Sequence, residues 1–206
     1  MPTVCYKKGG ESVVKRLRTP LSDEKVRELR AGDSILLSGT IYTARDAAHK
    51  RLVALLEEGK DLPIQLKDAI IYYAGPTPEK PGHPVGSIGP TTSLRMDAYT
   101  PMLLDRGLKG MIGKGSRSEE VIESMKKSSA VYFAAAGGIA ALMSRCVKKA
   151  EVVAYEDLGS EAIRRLEVED MPLVVAIDSK GNDLFKIGQG EYLQFREQGT
   201  VAREQR

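Results

Sequence analysis

Strand-like and helix-like segments alternate along almost the whole of this chain, and that order restricts the fold more than any single motif does. Residues 11–18 alternate enough for a strand. Ser22, followed by Asp23 and Glu24, caps a short helix that Gly32 closes. Residues 34–43 read as a central strand. Over 46–58, Ala48, Leu52, Leu55 and Leu56 recur at helical spacing, and Gly59 ends the element. Residues 69–73 form a short apolar strand. The spacing then predicts a helix over 93–106 with a kink at Pro101, and a strand ending at Gly113–Gly115. Ser116 and Glu119 make a capping box for a helix through Lys127. A strand at 130–134, a Gly137–Gly138 turn and a short helix over 139–146 follow. Strands at 151–155 and 173–178, with a small helix between them, lead to a hairpin over 178–187. The order implies an α/β fold, a sheet covered by helices, as a single domain over 1–188. Residues 189–206 are polar and charged and read as a tail.

Residues 74–90 break this rhythm. They hold five prolines and four glycines, and irregular loops of such length inside a domain are usually functional. Gly89-Pro90-Thr91-Thr92-Ser93-Leu94-Arg95-Met96-Asp97 comes next: a sharp turn, three hydroxyls and a cation at an expected helix N-terminus, which suits an anion. A plain cap by Thr91 or Thr92 needs only one of those hydroxyls. Arg95 can grip a carboxylate through two parallel N–H···O bonds, and Asp97 can orient that guanidinium or pair elsewhere.

Two further clusters sit where strands end. Arg45 and Asp46 follow the central strand, at the edge where open α/β sheets bind ligands. Arg45 can equally be a surface charge, Asp46 a cap and His49 a half-buried helix residue. Lys114, between Gly113 and Gly115, is either a point charge beside a ligand or a solvated turn residue. Two arginines, a lysine and hydroxyls together suit a small, multiply anionic ligand such as a dicarboxylate.

Composition narrows the alternatives. With a net charge of +3 and scattered basic residues, the chain has no nucleic-acid patch. It has no apolar run of membrane-spanning length and no signal-peptide core, so a cytoplasmic location is expected. There is no GxxxxGK[ST] and no GxGxxG. No Ser–His–Asp set or carboxylate pair presents itself for hydrolysis. Cys5 and Cys146 are far apart and cannot by themselves hold zinc or an iron–sulfur cluster.

In their order along the chain these clusters resemble the β subunit of class I fumarases and the matching domain of their single-chain forms, with the β subunit of L-tartrate dehydratase a close relative. The resemblance is carried by Ser38-Gly39 through Arg45-Asp46-Ala47-Ala48-His49-Lys50-Arg51, Ile71-Tyr72-Tyr73-Ala74-Gly75-Pro76, the 89–97 stretch, Lys114-Gly115, Gly137-Gly138-Ile139-Ala140-Ala141, Glu167 to Pro172 and Asp178 to Asp183. It implies a swivelling β/β/α domain, a layered α/β fold with a mixed sheet covered by helices. It also implies reversible hydration of fumarate to L-malate. By the same resemblance, Arg45, Arg95 and Lys114 match substrate-binding cations. Thr91 matches the residue that takes the C3 proton, although a threonine hydroxyl needs strong activation for this. The family's [4Fe–4S] cluster is held by three cysteines of a partner α subunit, which implies an α/β heterotetramer and no metal ligand in this chain. Where single-chain relatives read Ala-Gly-Arg after the threonines, this sequence has Ser93-Leu94-Arg95, with the arginine spacing kept. L-Tartrate dehydration and a non-catalytic dicarboxylate-binding module are the alternative activities.

Overall fold

The computed structural model describes residues 14–79, 81–135, 138–190 and 192–193; Cys5, Gly137 and most of the expected tail lie outside them. Among the described residues, seven strands form one sheet in the order β1-β2-β3-β4-β5-β7-β6, and β7 also pairs with β2. Strands β1 (Lys15–Arg18), β2 (Ser34–Thr43), β3 (Ile70–Tyr72), β4 (Gly110–Gly113) and β5 (Val131–Ala134) run parallel. β6 (Val147–Ala154) and β7 (Ile163–Ile177) complete the sheet, with β7 antiparallel to β2, β5 and β6. The β2–β7 pairing closes a circuit through β3, β4 and β5, so the sheet folds back into two facing layers.

Alternation along the strands fills two cores. In β3 and the residue after it, Ile70 and Tyr72 point into the space between the β layers, while Ile71 and Tyr73 point outward. β5 does the same with Val131 and Phe133 inward and Tyr132 outward. A strand covered on both faces is apolar at every position, which explains the unbroken run at 69–73. The inner core is completed by Ile35, Leu37 and Ile41 of β2 and by Leu166, Val168, Met171, Leu173 and Val175 of β7. The outer core is covered by α2 (Asp46–Glu57), α3 (Thr100–Asp105) and α4 (Glu119–Ser128) through Leu52, Leu56, Leu103, Leu104, Val121 and Met125. Helix α1 (Asp23–Arg27) adds Val26 to the inner core, and α5 (Ala140–Cys146) adds Met143. This is the α/β fold, a mixed sheet covered by helices, that the order of elements and the resemblance imply.

Several local expectations change. The helix over 93–106 is a 3₁₀ turn at Ser93–Met96 followed by a separate α3. Pro101 starts that helix instead of kinking one, because a first-turn proline gives up no hydrogen bond. α4 is capped by Ser118, which accepts from Val121 N, and not by Ser116. The strands at 151–155 and 173–178 are the ends of longer ones. β7 spans fifteen residues and reads weakly in sequence because Arg164, Arg165, Glu167, Glu169 and Asp170 occupy its outer positions. The expected hairpin stops at one bridge, Ile177 with Asp183. The Asp183 carboxylate then accepts from Phe185 N at 2.8 Å, and residues 184–190 are helical.

The proline-rich loop is tied at its base. Thr77 N–H donates to Ser87 O at 3.0 Å and Gly86 N–H to Thr77 O at 3.1 Å. The buried Tyr72 hydroxyl donates to Ile88 O at 3.1 Å. No helix among the described residues is long and apolar enough to cross a membrane.

Gly39 marks where β2 shifts register against β7 and has φ +111°. A Cβ there would collide with Thr19 Oγ1. Gly39→Ala is expected to destabilise the fold by about 2–4 kcal/mol from clash and backbone strain together, read from the midpoint of chemical denaturation.

Candidate active site

Parallel strands end on one side of a sheet, so β2, β3, β4 and β5 deliver their following residues to a common rim. Arg45 and Asp46 follow β2, Gly75 follows β3, and Lys114 and Gly115 follow β4. The 89–97 stretch joins this rim from outside the sheet. Thr91 N–H donates to Tyr73 O at 2.7 Å, Lys114 N–H to Thr91 O at 3.2 Å, and Ser93 N–H to Lys114 O at 2.9 Å. Thr91 is thus bonded on one side to the chain leaving β3 and on the other to the chain leaving β4. The Ser93 hydroxyl lies 2.8 Å from the Tyr132 hydroxyl, which donates to Gly115 O at 2.9 Å. The N–H groups of Thr91 and Ser93 are thus taken up by the chain leaving β3 and β4.

Four side chains, those of Arg45, Asp46, Arg95 and Glu161, form one connected set. Arg95 Nε donates to Asp46 Oδ1 at 2.8 Å. Arg45 Nε lies 3.9 Å from Asp46 Oδ2, and Arg45 Nη2 lies 3.4 Å from Glu161 Oε1. Among the described residues, the Lys114 ammonium has no ion pair and the Thr91 hydroxyl no hydrogen bond. All four predicted residues, Arg45, Thr91, Arg95 and Lys114, thus stand along one rim. Asp46 does not cap α2; Glu161 does, accepting from Ala47 N at 3.0 Å. Gly75 is needed to let Arg45 pass: a Cβ there would lie 2.8 Å from Ser160 O and 3.1 Å from Arg45 Nη1.

Two residues behind the rim escaped the sequence reading. Glu161 lies more than a hundred residues from its partners, so no local pattern marks it. Arg117 is wholly buried and belongs to Asp97, which pairs with it and not with Arg95. Its Nε donates to Asp97 Oδ1 at 2.7 Å and its Nη2 to Thr100 Oγ1 at 2.8 Å, and it stacks on Tyr73 and Tyr132. Burial works against its charge, but Tyr73 and Asp97 hold its pKa above the ordinary value. Asp97 Oδ2 accepts from Ser118 N at 2.6 Å, which fixes the loop after Lys114 to the 3₁₀ turn. Arg117→Met leaves Asp97 buried without its counter-charge and is expected to cost about 3–5 kcal/mol in equilibrium unfolding.

His49 is fully buried, more so than its helical position suggests. Its Nδ1 sits 2.9 Å from Arg45 O, its ring meets Tyr73 edge-on, and its Nε2 has no partner. Burial pushes its pKa down to about 4, so it is neutral at pH 7. Burial also pushes the Cys146 thiol up, favouring its protonated form. Among the described residues, no three His, Cys, Asp or Glu side chains come close enough to hold a metal ion.

The mixed α/β domain gathers cations and hydroxyls at one rim of its sheet, and comparison with known proteins identifies its family. The family model for the fumarase C-terminus matches residues 1–188, and the chain belongs to that family. It is 41% identical over 181 residues to the anaerobic class I fumarate hydratase of Escherichia coli (strain K12), covering 86% of this chain and 33% of that protein. It is 43% identical over 152 residues to the mitochondrial fumarate hydratase 1 of Leishmania major, covering 73% and 28%. It is 39% identical over 172 residues to a putative L(+)-tartrate dehydratase subunit beta of Methanocaldococcus jannaschii, covering 81% and 88%. The chain spans about a third of the length of the fumarate hydratases it matches.

His49 also fixes a pH dependence. Well above pH 6.5, its ordinary value, folded and unfolded states both hold it neutral and its contribution is fully present. Between 6.5 and about 4 the unfolded chain takes up the proton first, and stability falls by about 1.4 kcal/mol per pH unit, about 3 kcal/mol in all. Unfolding free energies measured across this window should show a shallower slope for His49→Gln than for the native chain, whatever the offset between them.

Proposed function

We propose that this chain supplies the dicarboxylate-binding and proton-transfer residues of a [4Fe–4S] hydro-lyase, with reversible hydration of fumarate to L-malate as its reaction. The reading is carried by the rim itself: in a member of the fumarase C-terminus family, Arg45 and Arg95 flank Asp46, and the backbones of Thr91 and Lys114 are hydrogen-bonded to each other. The three cations bind the substrate carboxylates, through paired N–H bonds from the arginines and a point charge from the lysine. In the dehydrating direction a proton leaves C3 and hydroxide leaves C2. Thr91 Oγ1, as its alkoxide, takes the C3 proton and becomes the hydroxyl; passing that proton to solvent restores the alkoxide and completes the water, and on hydration the hydroxyl gives a proton to C3. A free threonine hydroxyl is too weak a base for this, so its anion needs a positive charge nearby, and we assign that part to Lys114, whose backbone is bonded to that of Thr91.

The described residues of this chain do not fit an iron–sulfur cluster: they hold no three-ligand group, and Cys146 is biased toward the thiol. We assign the cluster to three cysteines of a partner α subunit in a cytoplasmic heterotetramer. When bound, it supplies a Lewis acid for the hydroxyl at C2.

L-Tartrate dehydration is the second reading, favoured by one observation: the chain covers 88% of the tartrate dehydratase relative but about a third of the fumarate hydratases. Anaerobic co-expression with a three-cysteine partner separates the two. Fumarate and malate should turn over only when both chains are present; preferred turnover of tartrate overturns the substrate assignment. Tight malate binding by this chain with no partner recovered would instead mark a binding module. In the active complex, Thr91→Ala is expected to lower kcat by about a hundredfold or more with KM little changed. Lys114→Ala should raise KM as well.

A further inference from the structure

Two buried polar atoms on the rim have no hydrogen-bond partner, Nε of Arg45 and Oδ2 of Asp46. They lie 3.9 Å from each other, beyond hydrogen-bond reach. The other oxygen of the same carboxylate accepts from Arg95 Nε at 2.8 Å. Asp46 therefore stands between two guanidiniums, with the Nε of each beside it.

Helix capping does not account for this placement. The N-cap position of α2 is Arg45, with no side-chain cap, and the Ala47 N–H is satisfied by Glu161. The carboxylate of Asp46 is thus left to the arginines. A guanidinium presents donors along more than one edge. With Nε turned to Asp46, the Nη groups of Arg95 remain for a ligand. Arg45 is further braced by Glu161, 3.4 Å from its Nη2, and by the backbone at Gly75. Arg95 is half exposed, and Asp46 is its only ion-pair partner among the described residues. Two guanidiniums drawn to one small anion repel each other, and a carboxylate shared between them offsets that repulsion at the place where it arises.

We infer that Asp46 is a positioning residue: its carboxylate yokes Arg45 to Arg95 so that their Nη groups face the dicarboxylate together, and the open Arg45 Nε to Asp46 Oδ2 gap closes into a hydrogen bond when the ligand binds. The inference rests on the dicarboxylate reading proposed above. It also explains why an aspartate follows Arg45 directly. A glutamate has a longer arm, and an asparagine brings an N–H₂ against a guanidinium.

Two measurements test it. In the purified chain, nitrogen-resolved NMR of the arginine side chains, assigned with Arg45→Lys and Arg95→Lys, should show a slowly exchanging Arg95 Nε–H that becomes fast in Asp46→Asn. In the chain assembled with its partner, Asp46→Asn should raise KM for the dicarboxylate by about tenfold or more, the loss of a charge-assisted contact, while kcat stays within about threefold. Asp46→Glu should recover part of the KM. If Asp46→Asn lowers thermal stability alone and leaves KM and the Arg95 signal unchanged, Asp46 is structural and the inference falls. The dicarboxylate reading then still stands, provided Arg95→Ala raises KM. A wild-type complex inert toward fumarate, malate and tartrate overturns that reading, and the inference with it.

Discussion

The pairing of β7 with β2 governs this structure. β2 gives one edge to β7 over nearly its whole length and divides the other between β1 and β3. β7 uses its own remaining edge for β6 and β5. Closing the circuit in this way creates an interior that side chains must fill, and it leaves an outer face that needs helices. The parallel pairings of β2, β3, β4 and β5 within that circuit set four strand ends side by side. The rim owes its existence to these long-range pairings, because no local segment contains more than a part of it.

Burial imposes opposite solutions on two ionisable residues packed near Tyr73. Arg117 keeps its charge because Asp97, Thr100 and two aromatic faces surround it. His49 gives up its charge because nothing answers its Nε2. The first solution ties the loop after β4 to the 3₁₀ turn that carries Arg95. The second holds the Arg45 carbonyl without adding a positive charge beside two arginines.

What the sequence discloses depends on distance along the chain. β2 and α2 are legible because alternation and helical spacing are properties of neighbours, and the structure returns them at nearly the same bounds. β7 is not, because its outer face carries charges that answer β6 and β2, as Arg165 answers Glu151. Asp183 looks like the far side of a turn, but its carboxylate starts a helix. On the rim, Arg45, Thr91, Arg95 and Lys114 are legible from motif order. Glu161, which caps α2 and braces Arg45 from the far end of the chain, is visible only once the sheet has closed.

The proline-rich loop meets its own base where Thr77 bonds Ser87, and it is tied down again where Tyr72 holds Ile88 and Tyr73 holds Thr91. The segment between Thr77 and Ser87 is therefore a closed excursion, mechanically separate from the hydroxyl and the cations that follow it. Insertions and deletions there change the outline of the domain without changing the spacing of its rim. In evolutionary terms, this is where such a chain can be refitted to a new neighbour while its chemistry stays in place.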